Sequence, residues 1–370
     1  MANPFDVLLV GGGPAGCVTA LLLARRGYSV AIVDRSSASS FQIGETLPPQ
    51  AAQLLAELGL SEAFARQNHK PSPGILSAWG SSELHANDFI FGLHGSGWHI
   101  DRAAFNQMLA DAAQGAGAVF LSEAHVKGCV EHNQGWLIHI EQAKRSIQLQ
   151  SHFVVDAGGR ASSCPAGFSR RIVYDRLIAV AGLSHPCRAA SASDYTLVEA
   201  IDDGWFYSAL LPCGEYIVAY MTDADLYAPR RDQSHWCFQS QLEKAPHTRS
   251  RVQSPSEHVM LFSAVTSIRD SSARRKWLAV GDAARSFDPL SAQGLWNAMR
   301  SGVEASRLIG RALGGDEICA SDYEQTNRET FARYLRVHQM FYDLENRWPD
   351  STFWARRQKQ PMSPLNLRTA

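Results

Sequence analysis

Apolar residues in the first 34 positions follow a strand–helix–strand pattern. An apolar run over Phe5–Val10 predicts a buried strand, and helical spacing follows over Pro14–Arg26. Gly27 stands where a helix C-cap is expected, and Tyr28–Val33 predicts a second strand that ends at Asp34. A strand, a crossover helix and a second strand predict a parallel pair in an α/β fold.

The pattern beyond residue 50 predicts further helices, and in the second half it changes to short strands separated by turns. Helical spacing covers Gln50–Leu58, Asp101–Gly117, Leu295–Leu313 and about 322–346. Strand-like runs are Val119–Leu121, Trp136–Ile140, Ile147–Leu149, Phe153–Val155 and Trp277–Val280. From about 176 to 265, strand-like segments alternate with turns, which is typical of an antiparallel sheet; they include Tyr195–Ala200, Trp205–Leu211 and Tyr216–Tyr220.

Composition excludes several classes of protein. The 370 residues are 45% hydrophobic, which predicts a large core and about two domains. With 35 basic and 36 acidic residues, the chain lacks the basic excess of nucleic-acid-binding proteins. Its apolar runs are too short to span a bilayer, so we expect no membrane association. Seven cysteines without a C-x-x-C pair indicate reduced thiols in a cytoplasmic protein, and histidine spacing predicts no metal site.

Gly11, Gly13 and Gly16 form a G-x-G-x-x-G pattern between the first strand and the first helix. The first glycine permits a tight turn, the second lets the backbone approach a pyrophosphate, and the third allows close packing of helix and strand. Pro14 and Ala15 open a helix whose free N–H groups and dipole favour an anion. The pattern predicts a dinucleotide site, the alternative being a glycine turn with a structural role only.

Asp34 lies at the end of the second strand, 18 residues after Gly16. A carboxylate in this position can bind ribose hydroxyls, and it favours an adenosine ribose over a 2′-phosphate. Arg35 follows and is assigned to the same site. Up to this point NAD and FAD are both compatible with the pattern.

Two later strands each end in a glycine turn, at 154–160 and 278–284, and a Pro-containing turn then leads into a helix. The carboxylate of the second glycine turn can accept from ribityl or ribose hydroxyls. The helix N-terminus can direct N–H groups at a flavin carbonyl and stabilise negative charge on the reduced ring. These segments favour FAD, and the residues assigned to the cofactor are Gly158, Asp282, Pro289, Gly294 and Leu295.

These motifs resemble those of FAD-dependent monooxygenases of the p-hydroxybenzoate hydroxylase type, and more closely their tryptophan-halogenase-like branch. The resemblance is carried by 11–16, Gly44–Pro49, Trp98–Arg102, Asp156–Arg160 and Gly281–Gly294. It implies bound FAD, O2 as oxidant, and NAD(P)H or reduced flavin as an external electron donor. It also implies that Glu45, Thr46 and Arg102 contact the cofactor, and that the backbone of Val126 meets the adenine.

The expected architecture is of the α/β (α+β) class. A Rossmann-like FAD-binding domain is predicted from 1–75, 98–175 and 270–315. A mixed or antiparallel sheet, the substrate domain, is inserted as 76–97 and 176–269. Helices of a C-terminal segment, 316–370, close the molecule.

The chain departs from the halogenase pattern at three places. Halogenases carry Trp-x-Trp-x-Ile-Pro, but here Tyr207 stands in place of the second tryptophan, two residues after Trp205. Lys70 is one residue away from the spacing of the halogenase lysine relative to Trp79, so we interpret it as an exposed loop lysine. Ser291 stands where halogenases have an acidic residue. Hydroxylation needs neither the lysine nor the acidic residue, because the flavin carries the difficult chemistry.

A narrower resemblance concerns the C-terminal sequence Tyr342–Arg357 and the segment Ser77–Ser81. Both are similar to accessory flavoproteins that serve protein-derived tryptophylquinone cofactors. The resemblance implies a monooxygenase that hydroxylates a tryptophan of a partner protein, the precursor of a quinone-cofactor oxidase or dehydrogenase. The alternatives are a small-molecule aromatic hydroxylase or halogenase-like enzyme, and a flavin-binding maturation chaperone without turnover.

Several residues keep two interpretations, and no catalytic acid or base is assigned. Trp79, Trp205 and Tyr207 either line a substrate pocket or fill the interface of sheet and helix. His99 is either a proton donor or a hydrogen-bonded structural residue. The aromatic residues Trp348, Phe353 and Trp354 fit core packing. We interpret the basic tail either as a solvated end or as a contact for an acidic partner; its basic residues are Arg356, Arg357, Lys359 and Arg368.

Overall fold

A computed structural model describes residues 3–36, 42–132, 135–162, 169–187, 193–227, 234–254, 256, 258–274, 276–316, 320–358 and 362–365. The strands are β1 Phe5–Val10, β2 Val30–Val33, β3 Thr46–Leu47, β4 Lys70–Ser72, β5 Gly74–Ala78, β6 His85–Asp88, β7 Gly97–His99, β8 Val119–Leu121, β9 Ala124–His132, β10 Gly135–Gln142, β11 Arg145–Asp156, β12 Arg171–Val173, β13 Leu177–Ser184, β14 Thr196–Ile201, β15 Gly204–Leu210, β16 Tyr216–Asp223, β17 Met260–Ser263, β18 Ser267–Arg269, β19 Ala273–Arg274, β20 Trp277–Ala279 and β21 Arg285–Ser286. The helices are α1 Pro14–Ala24, α2 Ala51–Glu57, α3 Ser61–Ala65, α4 Arg102–Gly115, α5 Ala224–Tyr227, α6 Ser234–Leu242, α7 Pro246–Arg251, α8 Gly294–Leu313, α9 Ala320–Leu344 and α10 Thr352–Ala355.

The main sheet has eight strands in the order β19-β20-β11-β1-β2-β8, with β10 and β9 continuing from β11. Strands β20, β11, β1, β2 and β8 run parallel, which confirms the predicted β-α-β unit and the α/β class. Alternate residues of the central strands face two apolar layers. One layer is formed mainly by α1, α2, α4 and α8, and the other contains Trp136 and Trp277. Burial on both faces explains the continuous apolar runs.

One strand replaces the two predicted over 147–149 and 153–155. Strand β11 runs unbroken from Arg145 to Asp156. Its first half pairs antiparallel with β10 and alternates between exposed and covered residues, whereas its last residues lie fully buried between β1 and β20. The change in burial interrupts the apolar pattern although the backbone continues, and this is why the sequence suggested a break.

The second sheet has seven strands in the order β17-β13-β16-β15-β14-β5-β6. Neighbouring strands are antiparallel except β14 and β5, which are parallel. Two distant stretches, 74–88 and 177–263, therefore build one sheet. The domain boundaries stay a prediction. A small sheet, β3-β7-β4, joins the segment of Thr46 to that of His99.

The C-terminal segment packs against the second sheet, and the expectation of a solvated tail is wrong for Arg357, whereas Arg356 is exposed. Arg357 is 1% exposed, and its guanidinium binds the buried carboxylate of Asp223, with Nη1 to Oδ2 at 3.2 Å. Arg356 reaches Asp223 and Asp225, both at 2.7 Å. Acidic residues on β16 and α5 draw in the basic residues. Lys359 and Arg368 lie outside the described residues.

The helices carry no membrane span. Across the described ranges, none of them is long and apolar enough to cross a bilayer.

The Asp223–Arg357 pair should be a main determinant of stability. We expect Arg357→Met to lower the free energy of unfolding by about 3 kcal/mol, because it leaves the Asp223 carboxylate buried without its main partner. Urea denaturation measures the change. Arg176→Met is the control: Arg176 binds Asp225 at 3.1 Å at the surface, so its loss should cost less than about 1 kcal/mol. Equal effects of the two substitutions would contradict the assignment.

Candidate cofactor and active site

The turn between β1 and α1 has little room on one side and open space on the other. Gly11 has φ +114°, and a Cβ there would collide with the carbonyl of Ala157. A Cβ at Gly16 would collide with the carbonyl of Gly11, whereas nothing lies within 4 Å in front of Gly13. Pro14 is the first helical residue, and no side chain among the described residues caps α1. The turn thus presents uncapped N–H groups at an open backbone surface, as a pyrophosphate requires.

Asp34 lies directly beside this turn. Its carboxylate accepts hydrogen bonds from the amide of Gly12 and from that of Ser36, the latter at 2.6 Å. The side chain is partly exposed, and Arg35 next to it is exposed. The position at the end of β2 is the one that the sequence predicts for a ribose-binding carboxylate.

Glu45 and Arg102 influence each other electrostatically and have buried polar atoms with unused hydrogen-bonding capacity. Oε1 of Glu45 and Nε and Nη1 of Arg102 are buried and have no hydrogen-bond partner among the described residues. Burial raises the pKa of Glu45 to about 7, against the opposing effects of backbone hydrogen bonds and of Arg102. Burial lowers the pKa of Arg102 to about 10. Buried polar atoms are rarely left unpaired, so these three atoms fit a polar ligand such as FAD.

Tyr207 connects the second sheet to this site. Its hydroxyl lies 2.6 Å from Oγ1 of Thr46, and burial together with the charge of Glu45 raises its pKa well above the usual value. Tyr207 therefore faces the Glu45–Thr46 turn.

His99 is fully buried and pairs with Thr46 across strands β3 and β7. Nδ1 lies 3.0 Å from the carbonyl of Leu210, and Nε2 lies 2.8 Å from Oγ1 of Thr196. Burial lowers the pKa of His99 to about 4. Both ring nitrogens are engaged and the ring is neutral at physiological pH, so His99 has the structural role of the two proposed.

Lys70 differs from the predicted loop lysine. It begins strand β4, is partly buried, and its Nζ lies 3.0 Å from Oδ1 of Asp194. The prediction of an exposed loop residue is therefore wrong, because β4 pairs with β7 and places Lys70 opposite His99.

The two later glycine turns adjoin the first. The amide of Gly158 donates to the buried carboxylate of Asp156 at 3.1 Å. Asp282 is partly exposed and pairs with Nε of Arg160 at 3.1 Å. Gly281 packs against Ala15 of α1, and the amide of Gly281 donates to Ser301 at 2.8 Å. The structure thus brings the residues assigned to the cofactor in these turns to the first turn of α1.

A buried carboxylate shapes the turn before α8. Oδ2 of Asp288 accepts from Nε2 of His338 at 3.1 Å and from the Tyr342 hydroxyl at 2.8 Å, and Oδ1 accepts from the amide of Leu290 at 2.8 Å. Burial alone would raise the pKa of Asp288, but these hydrogen bonds hold it below its usual value. Pro289 follows, and Gly294 and Leu295 begin α8.

Sequence reasoning missed the role of His338 in this network. The available signal was the helical spacing of His338 and Tyr342, four residues apart on one face of a predicted helix. That spacing does not identify the partner, because Asp288 lies 50 residues away in sequence.

The proposed pocket residues do not form one group. Trp205 is 1% exposed, and its Nε1 donates to the Tyr342 hydroxyl at 3.0 Å, so it fills the interface of sheet and helix. Trp79 is partly exposed, with ring centroids 6.2 Å from Trp205, 5.4 Å from Tyr342 and 5.2 Å from Trp354. We call Trp79, Trp205, Tyr342 and Trp354 the aromatic cluster. Tyr207 is engaged separately, by Thr46.

Val126 is partly buried on β9, at the irregularity opposite Ile140. Cys17 is buried on α1, and burial raises its pKa to about 12, which suits a packing residue. In the part of the chain that the structure describes, no group of histidine, cysteine or acidic residues is arranged to hold a metal ion.

Comparisons with known proteins confirm FAD as the cofactor. The model of a family described as FAD binding domain matches residues 4–336. A putative FAD-dependent oxidoreductase, LodB, of Marinomonas mediterranea is 28% identical over 363 residues, covering 95% of this chain and 96% of the relative. A 1H-pyrrole-2-carbonyl-[peptidyl-carrier protein] brominase of Pseudoalteromonas luteoviolacea is 24% identical and covers 94% and 89%.

Two solved structures are similar over nearly the whole chain. The flavin-dependent halogenase CmlS has a TM-score of 0.89 at 26% identity, covering 97% of this chain and 68% of that one. The peptidyl tryptophan dihydroxylase QhpG, described as essential for tryptophylquinone cofactor biogenesis, has a TM-score of 0.74 at 25% identity, covering 98% and 80%.

The glycine turn allows a paired test of FAD binding. We expect Gly11→Ala to prevent folding, because the Cβ collides with backbone at a positive φ. Gly13→Ala should fold normally but weaken FAD binding by at least about tenfold, because its methyl group occupies the open approach of the pyrophosphate. Circular dichroism measures folding, and a flavin fluorescence titration measures affinity. Full FAD affinity of a folded Gly13→Ala variant would contradict the site.

The raised pKa of Glu45 predicts a pH-dependent stability of the FAD-free protein. The folded state binds the Glu45 proton more tightly than the unfolded chain does, so this contribution to stability is lost as the pH rises from about 4.5 to about 7. Relative to Glu45→Gln, the free energy of unfolding should fall by up to about 1.4 kcal/mol per pH unit in this window. Urea denaturation of both proteins provides the measurement. The opposite contribution of His99 is common to both and cancels; parallel curves would refute the prediction.

Proposed function

The chain belongs to the FAD binding domain family, and from that premise we propose that it hydroxylates a tryptophan side chain of a partner protein. The partner in this proposal is the precursor of an oxidase or dehydrogenase with a tryptophylquinone cofactor. More broadly, the chain is an FAD-dependent oxidoreductase of the halogenase and monooxygenase class. Its relatives include proteins named as an FAD-dependent oxidoreductase, a brominase and a flavin-dependent halogenase. The narrower proposal depends on the contacts of Trp79 and Gly80 with the carbonyl of Phe341 and the carboxylate of Glu345.

The observation that best supports the proposal is the contact between two segments far apart in sequence. Nε1 of Trp79 donates to the carbonyl of Phe341 at 2.7 Å, and the amide of Gly80 donates to the carboxylate of Glu345 at 2.8 Å. These segments carry the resemblance to flavoproteins of tryptophylquinone maturation, and they meet in the aromatic cluster. The likeness to QhpG, whose name specifies tryptophan dihydroxylation, supports the same direction.

The residues of the chain have separate roles in this reaction. The uncapped N–H groups of α1 would hold the FAD pyrophosphate, and Asp34 would hold the ribose. Glu45 and Arg102 would supply polar contacts from a buried position. The first N–H groups of α8 would face the flavin ring. When bound, FAD supplies the activation of O2, with electrons from NAD(P)H or reduced flavin.

Halogenation is the second candidate, because relatives named as halogenases cover most of the chain. Two side chains argue against it. The ammonium of Lys70 is held by Asp194, and the hydroxyl of Ser291 donates to the carbonyl of Asp288 at 3.2 Å. The lysine and the acid expected of a halogenase are therefore not provided by these two positions. A flavin-binding chaperone without turnover is the third alternative.

The test is coexpression with the precursor polypeptide of an oxidase or dehydrogenase that carries a tryptophylquinone cofactor. We expect the precursor to gain one or two oxygen atoms on a tryptophan, measured by intact-mass and peptide mass spectrometry with bromide present. The gain should disappear with Gly13→Ala, or when the target tryptophan is replaced by phenylalanine. Incorporation of bromine, turnover of free tryptophan or phenol alone, or an unmodified precursor beside FAD-loaded protein would overturn the proposal.

A further inference from the structure

The outer face of α9 changes character along its length. In the first half its exposed residues are polar, among them Asp322, Gln325, Thr326 and Glu329. In the last two turns Asp343 is exposed and accepts from Gln339, but the exposed residues at i, i+3, i+4 and i+7 are large and apolar, namely Val337 at 45%, Met340 at 68%, Phe341 at 52% and Leu344 at 60%. A surface helix normally keeps its solvent face polar, so the apolar stripe indicates a face that another molecule covers.

Two arginines extend this stripe toward the helix N-terminus. Arg333 and Arg336 are exposed, lie four residues before Val337 and Met340, and form no ion pair with any described residue. By contrast, Arg328 earlier in the helix pairs with Glu324. Two unpaired guanidinium groups beside an apolar stripe are complementary to an apolar segment flanked by carboxylates.

The opposite face of the same turns contacts the candidate active site. His338 and Tyr342, each adjacent in sequence to a stripe residue, bind the Asp288 carboxylate. The backbone carbonyl of Phe341, a stripe residue, accepts from Trp79 of the aromatic cluster. A molecule bound to the stripe would therefore lie on the helix that holds the turn before α8, about 10 Å across the helix from that turn.

The size of the stripe favours a transient partner over a permanent copy. Four partly exposed side chains present a few hundred Å², in the range of the largest, often functional, patch on a monomer. A stable dimer usually buries about 800 Å² on each partner. An enzyme that releases a modified protein needs the smaller kind of contact.

We propose that Arg333, Arg336, Val337, Met340, Phe341 and Leu344 form the docking surface for the protein substrate. The segment that binds there is apolar and carries acidic residues at one end. This inference rests on the proposed function, whose reaction requires a polypeptide to reach the flavin site.

Two variants and a matched control test the surface. Met340→Glu with Phe341→Glu places two charges on the stripe, and Arg333→Glu with Arg336→Glu reverses the charged end. Gln325→Glu with Thr326→Glu adds the same two charges on the same helix, about 22 Å away. The probe is the full-length precursor polypeptide of the coexpression test. Its affinity for each FAD-loaded protein is measured by biolayer interferometry at two salt concentrations, and light scattering reports the oligomeric state.

We expect the stripe variant to weaken precursor binding at least about tenfold, with FAD content unchanged and the control within about twofold of wild type. The arginine variant should weaken binding and reduce its salt dependence. Unchanged affinity of the stripe variant would overturn the proposal, as would a wild-type dimer that this variant dissociates. Wild-type protein that binds the precursor without oxygenating it would refute the proposed reaction only, whereas oxygenation unaffected by the stripe variant would refute the surface only.

Discussion

The buried carboxylate of Asp288 imposes the constraint on which the site depends. An acceptor removed from water must be satisfied by donors, and here the donors are the amide of Leu290, His338 and Tyr342. Two of these donors come from α9. Helix α9 is therefore required for the turn that opens α8, and loss of its two donors would leave the Asp288 carboxylate with the Leu290 amide in place of three partners.

The second sheet is tied to the same carboxylate through Tyr342. The Tyr342 hydroxyl donates to Asp288 and accepts from Trp205 on β15, so one phenol links the second sheet to the turn before α8. The guanidinium of Arg357 lies 5.7 Å from the Tyr342 ring and pairs with Asp223 on β16. Two buried carboxylates thus organise the aromatic cluster, and the apolar rings between them exclude water from both. Polar networks of this kind specify a geometry more sharply than apolar packing does.

The sequence predicted those features that local physics determines. The glycine turn follows from a positive φ at Gly11 and close packing at Gly16, and the parallel strands follow from continuous apolar runs. The burial of Arg357 and of the Asp288–His338 pair was not predicted. Charged residues are expected in solvent unless a partner is known, and those partners lie 134 and 50 residues away in sequence. Strand β11 was divided for a related reason, because burial changes along it while the backbone does not.

Within the same turns, one face of helix α9 forms buried hydrogen bonds and the other exposes apolar side chains. Its inner face must satisfy Asp288, which fixes the rotation of the helix about its own axis. That rotation leaves Val337, Met340, Phe341 and Leu344 outside, where none of the described segments buries them. Turning the helix to cover these residues would break the hydrogen bonds of His338 and Tyr342. The exposed apolar face is therefore a consequence of how the turn before α8 is held, and a second molecule can cover it without disturbing that turn.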